Sequence, residues 1–74
     1  MNQPVYIVRH ARNRMRWRNI SKEEVIYVLE NSELIEDDIK NRKNVFATVN
    51  GRYLKVTFVE EKGTIVVVSV VEKE

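Results

Sequence analysis

Val45-Phe46-Ala47-Thr48-Val49, then Asn50-Gly51, then Arg52-Tyr53-Leu54-Lys55-Val56-Thr57-Phe58-Val59: two β-prone runs flank the dipeptide best suited to a two-residue turn. A type I′ turn needs a positive φ at both central residues, which asparagine tolerates and glycine adopts freely, so the stretch reads as an antiparallel hairpin. Side chains alternate across a strand. Leu54, Val56 and Phe58 therefore share one face, expected to meet the core, while Tyr53, Lys55 and Thr57 share a more exposed one. By the same alternation Arg52 stands on the core-facing side, at the strand's end.

Working outward, Glu61-Lys62-Gly63 reads as a second turn and Ile65 to Val71 as a further strand. That strand is apolar on both faces, with Val66, Val68 and Val70 on one and Ile65, Val67 and Val71 on the other. It is either central in its sheet or covered on its outer face by a partner, such as a second copy of the chain in a homodimer. Upstream, Leu34-Ile35 has the size of a short strand, so the sheet has three or four antiparallel strands. Val5 to Val8 is either a strand or the lead-in to a helix.

Before the sheet the period changes to that of helices. His10 to Asn19 reads as a helix with Ala11 and Met15 facing inward, although Val8-Arg9 offers no N-cap. Ser21-Lys22-Glu23-Glu24 is a capping box that starts a second helix, and Ile20 with Val25 forms a hydrophobic staple across it. Val25, Val28 and Leu29 make its apolar stripe, and Asn31-Ser32 ends it. With almost no loop between them the helices form a tight corner or hairpin. The expected fold is α+β: an N-terminal two-helix hairpin packed on the antiparallel sheet, one domain over residues 1–74.

Composition narrows the function. The chain has 74 residues and no cysteine, so neither a disulfide nor a thiolate zinc site can form. No apolar run approaches the roughly 18 residues of a membrane span, and Met1-Asn2-Gln3-Pro4 lacks the charges of a signal peptide. A cytoplasmic protein without membrane partners is expected. The net charge of +2 conceals a segregation: residues 1–20 hold five arginines and no acid, and residues 21–39 hold seven acids and one lysine. A basic segment in a nearly neutral chain points to a polyanion.

His10, Arg14 and Arg18 recur every four residues, at about 0°, 40° and 80° around a helix turning 100° per residue. Asn13 and Trp17 fall on the same side. Cations in a row without acids among them repel one another unless an anion joins them. A phosphate fits, because guanidinium offers a planar donor fork and imidazole can move a proton near neutral pH. Trp17 can stack on a base. Arg52 can join from the strand. The bland alternative is a solvated basic face whose arginines pair with Glu23, Glu24, Glu30 or Glu36-Asp37-Asp38. The chain has no Gly-rich phosphate loop, no nucleophile elbow and no second histidine, and no metal site or cofactor is expected.

The run from His10 through Ala11, Arg14, Met15, Arg18, Ile20 and Ser21 to Val25 resembles domain-of-unknown-function family 4258, whose pattern is H-A-x-x-R-M-x-x-R-x-I-[ST]-x-x-x-V. Gly51 to Val56 and Ile65 to Val70 look like its two characteristic strands, so the resemblance spans residues 6 to 71. The family is usually grouped with RelE- and BrnT-like toxins in the barnase–EndoU–colicin–RelE class of ribonucleases. The resemblance implies a RelE-like arrangement of helices on an antiparallel sheet, metal-independent RNA cleavage and a cognate antitoxin as partner. Carried over residue by residue, it implies catalytic roles for His10, Arg14, Arg18 and Arg52. It places Ser69 where the family commonly has threonine, as an RNA contact. Arg12, Arg16 and Trp17 are the further expected RNA contacts. Two departures stand out: Val8-Arg9 replaces the usual Ser or Thr before the histidine, and Ser69-Val70-Val71 replaces a terminal Thr-x-Tyr.

Three functions compete at this stage. A toxin-type endoribonuclease, acting on free or ribosome-bound RNA, would use His10 as general acid or base and the arginines to hold charge on the phosphate. A non-catalytic RNA- or protein-binding module would use the same face. A structural or dimerising protein would pair its arginines with the acidic second helix.

Overall fold

The computed structural model describes residues 3–73. Along the chain run β1 (Val5–Ile7), α1 (Arg9–Arg18), α2 (Lys22–Glu30), β2 (Leu34–Asp37), a 3-10 turn (Ile39–Asn41), β3 (Lys43–Val49), β4 (Arg52–Glu61) and β5 (Thr64–Lys73). The five strands form one sheet in the order β1-β5-β4-β3-β2. This corrects the expected architecture of a three- or four-stranded antiparallel sheet behind an N-terminal helical hairpin. A strand precedes the helices, and it pairs with β5 in parallel, Val5 beside Ile65 and Ile7 beside Val67, so the sheet is mixed. Three residues are too few to show a period of two, and nothing local signals a pairing partner at the other end of the chain.

The central hairpin forms as its sequence dictates. Asn50 (φ 53°) and Gly51 (φ 80°) supply the two positive φ values of a type I′ turn, bringing Val49 beside Arg52. Lys62 (φ 50°) and Gly63 (φ 81°) repeat the device between β4 and β5. Of the two openings left for the final strand, the sheet takes the first: β5 lies inside it, flanked by β1 and β4. Its faces differ from strict alternation, however. Thr57 pairs with Ser69 while Phe58 pairs with Val67, so Val68 is an extra residue bulged out of register. The bulge resets the faces: Ile65, Val67 and Val70 are the buried side chains.

The helix corner is equally local. Asn19 takes the left-handed conformation (φ 56°, ψ 46°) and closes α1, with its N–H on the Arg16 carbonyl and the Ile20 N–H on that of Met15. These are the paired bonds of a Schellman ending, with Met15 and Ile20 both buried across it. Ser21 then caps α2: its Oγ accepts from the Glu24 N–H at 3.1 Å, and the Glu24 carboxylate accepts from the Ser21 N–H at 2.9 Å. Ile20 and Val25 are buried as the staple requires.

α1 packs on β5, and α2 on β3 and β4. Ala11, Met15, Val25 and Val28 meet Ile7, Val45, Ala47, Leu54, Val56, Phe58, Val67 and Val70 in a single core, rich in valine. The other sheet face carries no helix. There Phe46 and Tyr53 stack with ring centroids 5.8 Å apart, and the Thr57 hydroxyl donates to the Asn44 amide oxygen at 2.6 Å.

Candidate nucleic-acid interface

Only Ala11 and Met15 of α1 are buried, so most of the helix surface is available. Toward one flank, His10, Asn13, Arg14, Trp17 and Arg18 line an open groove of about 330 Å³. The structure thus brings together the histidine, two of the arginines and the tryptophan singled out by spacing. Trp17 is 89% exposed, a large apolar surface held in water with no core function. Arg12 and Arg16 are also exposed but do not line the groove. They sit about 160° to 200° away from Arg14 around the helix, and extend the basic surface over the helix's other flank.

Among the described residues, no side chain of Arg9, Arg12, Arg14, Arg16 or Arg18 makes an ion pair or hydrogen bond. Three acids of the chain are engaged elsewhere. Glu24 is held in the helix corner, Glu33 accepts from the Thr48 N–H at 3.0 Å, and Asp38 accepts from the Ile39 N–H at 2.7 Å. The positive potential of the helix face is therefore unspent.

Arg52 behaves differently. Its alternation was legible, and it does point toward the helices, but it does not line the groove. One Nη donates to the Arg18 carbonyl at 2.8 Å, and the other to the Asn19 carbonyl at 3.0 Å and to both Glu24 carboxylate oxygens at 3.1 and 3.3 Å. A Glu72 oxygen lies 3.9 Å away. These carbonyls are acceptors left over at the end of α1, where a cation is also favoured by the helix dipole. Arg52 is thus a clamp on the C-terminus of the helix whose side chains form the groove.

Glu24 is the hub of that clamp, and sequence reasoning gave it only the capping box. The Asn50 amide donates to it at 2.7 Å, so the hairpin turn is tied to α2 as well. The carboxyl is held below its ordinary 4.5, first by Asn50, then by the Ser21 N–H and by Arg52, against the opposing effect of burial. The signal for this network was present in the proximity of Asn50 and Arg52, two residues apart on the turn, but its partner lay on a distant segment.

Ser69 stands beside Thr57 on the helix-free face. The sheet separates it from His10, so it takes no part in the groove. Among the described residues no group of three histidine or acidic side chains could hold a metal ion, and no helix is long and apolar enough to cross a membrane.

The model of a family described as "Domain of unknown function (DUF4258)" matches residues 7–72. No curated protein and no solved structure matches the chain.

Proposed function

The chain belongs to the DUF4258 family, and from that premise we propose that it is the RNA-cleaving component of a toxin–antitoxin pair, a metal-independent endoribonuclease. One observation carries the reading: a groove on α1 that joins a proton-transfer group, His10, to Arg14 and Arg18, cations unpaired among the described residues, and to an exposed aromatic, Trp17. The usual grouping of this family with RelE- and BrnT-like toxins supports it.

In this reading a phosphodiester lies across Arg14 and Arg18, with a neighbouring base stacked on Trp17. Neutral His10 takes the proton of the ribose 2′-hydroxyl as its oxygen bonds to phosphorus. The bond from phosphorus to the 5′-oxygen breaks, and the leaving oxygen takes up a proton from the imidazolium or from water. The products are a 2′,3′-cyclic phosphate and a 5′-hydroxyl. Arg14 and Arg18 offset the charge that grows on the phosphoryl oxygens. A cognate antitoxin would cover the groove with acidic and apolar side chains.

A second reading, RNA binding without cleavage, is favoured by the engagement of Arg52 in the clamp, which removes one expected cation from the reacting phosphate. The test is incubation of labelled mixed RNA with the protein in EDTA, beside His10→Ala. Cyclic-phosphate ends with wild type, absent with the variant, support the nuclease. Retained salt-dependent binding without product selects the second reading, and neither binding nor product rejects both.

A further inference from the structure

Strand β2 is the edge of the sheet opposite α1, and all four of its residues are exposed. It pairs only with β3, so every second N–H and C=O along its outer side has no strand to meet among the described residues. Three of the large exposed apolar side chains crowd into this short stretch: Leu34 at 45%, Ile35 at 61% and Ile39 at 73%. Glu36 and Asp37 follow Leu34 and Ile35 on the strand, and their carboxylates make no hydrogen bond or ion pair among the described residues.

We infer that this edge accepts an extended segment of a partner protein as a sixth strand, and that the segment reads basic-basic-apolar-apolar in an antiparallel register. The pattern follows from alternation. Leu34 and Glu36 share the helix-free face, beside Phe46 and Asn44, while Ile35 and Asp37 share the helix face, beside Val45 and Lys43. Each face of the added strand therefore meets one apolar residue and, two positions on, one carboxylate. Opposite charges in directly facing positions favour pairing, and like charges oppose it. Backbone bonds would supply affinity and the four side chains selectivity.

The same acids argue against a second copy as the occupant. Paired in that antiparallel register, two β2 edges would set Glu36 and Asp37 of each copy against Ile35 and Leu34 of the other, so neither carboxylate would meet a base, and the five arginines of residues 1–20 all lie on α1. The edge is also independent of the groove. β4 and β3 separate it from β5, on which α1 packs, a distance of roughly 14 Å at one strand spacing per step. The β2 edge therefore stands apart from any RNA chemistry at the groove.

The probe is an acetylated and amidated hexapeptide, Thr-Lys-Lys-Val-Val-Thr, titrated into the isotope-labelled protein to millimolar concentration at low salt. Its companions are a version with glutamates for lysines and one with alternate backbone nitrogens methylated. The expected result is saturable shifts of the Leu34–Asp37 amides with the basic peptide, and at least tenfold weaker binding of both companions. The double variant Glu36→Lys, Asp37→Lys should reverse the preference, taking the glutamate peptide and losing the basic one at least tenfold. Both positions are exposed, and unchanged amide spectra elsewhere confirm that the variant is folded. Absence of shifts, shifts confined to α1, equal binding of the acidic or methylated peptides, or β2 shifts that track protein concentration without peptide would each overturn the inference.

Discussion

Arg18 and Arg52 meet at the end of α1 and use the same guanidinium chemistry in opposite ways. The Arg52 side chain, a quarter exposed, donates to two terminal carbonyls and a carboxylate. The Arg18 side chain leaves that corner, lines the groove and has no partner among the described residues. One region uses its cation for internal structure, and the other leaves its cations without a partner among the described residues. What separates them is the availability of acceptors. A strand-borne residue reaches the end of a helix, where carbonyls are left over. A residue on the flank of that helix, such as Arg18, is exposed to solvent.

The division can be broken most decisively through His10. His10→Ala should lower RNA cleavage by about 100-fold or more, with the melting temperature unchanged because the side chain is exposed. Arg52→Met should have the reverse profile. It removes a charged donor from Glu24 and two carbonyls, and calorimetry should show a loss of about 2 kcal/mol, a fall of roughly 10 °C in Tm for a chain of this size. If Arg52 contacted phosphate instead, the variant would keep its Tm and lose RNA affinity.

Trp17→Ala should weaken binding of single-stranded RNA by about 1–2 kcal/mol if a base stacks there. As Trp17 is the one tryptophan in the chain, its fluorescence reports the same event in the wild type. Arg14→Gln with Arg18→Gln should reduce the slope of log affinity against log salt by about 1.4, at 0.7 per phosphate contact, with no change in unfolding.

The smallest effect concerns Glu24. Its carboxyl is lowered from 4.5 in the folded state, so the folded protein releases that proton more readily than the unfolded chain. The resulting stability is present at neutral pH, fully so above the ordinary value, and is lost as pH falls through the lowered one. Glu24→Gln should be modestly less stable at neutral pH. Its deficit should shrink in acid, as chemical denaturation at several pH values would show.

Local chemistry made much of this legible. Ser21 with Glu24, Ile20 with Val25, and Asn50 with Gly51 each carry their structural instruction within a few residues, and each forms as read. Spacing alone also placed His10, Arg14, Trp17 and Arg18 on one flank. What escaped were features that depend on distant partners. Val5 to Val8 reads as a strand or as a helix lead-in, and the parallel neighbour that decides between them lies in the last strand. The bulge at Val68 lies in a run of valines that offers no mark for a change of register. Arg52 was placed on the correct side, but its acceptors come from the end of α1 and from Glu24, so a residue expected to act on phosphate is found holding the end of that helix.

The parallel pairing of Val5–Ile7 with Ile65–Val67 has a kinetic consequence. Joining these segments closes nearly the whole chain into one loop, the entropically most demanding contact in the molecule. The β3–β4 and β4–β5 hairpins close short loops and can assemble early. Docking of β1, and with it the seating of α1 over β5, belongs late in folding. A nascent chain would then expose the apolar strands of the hairpins before the basic helix settles over them.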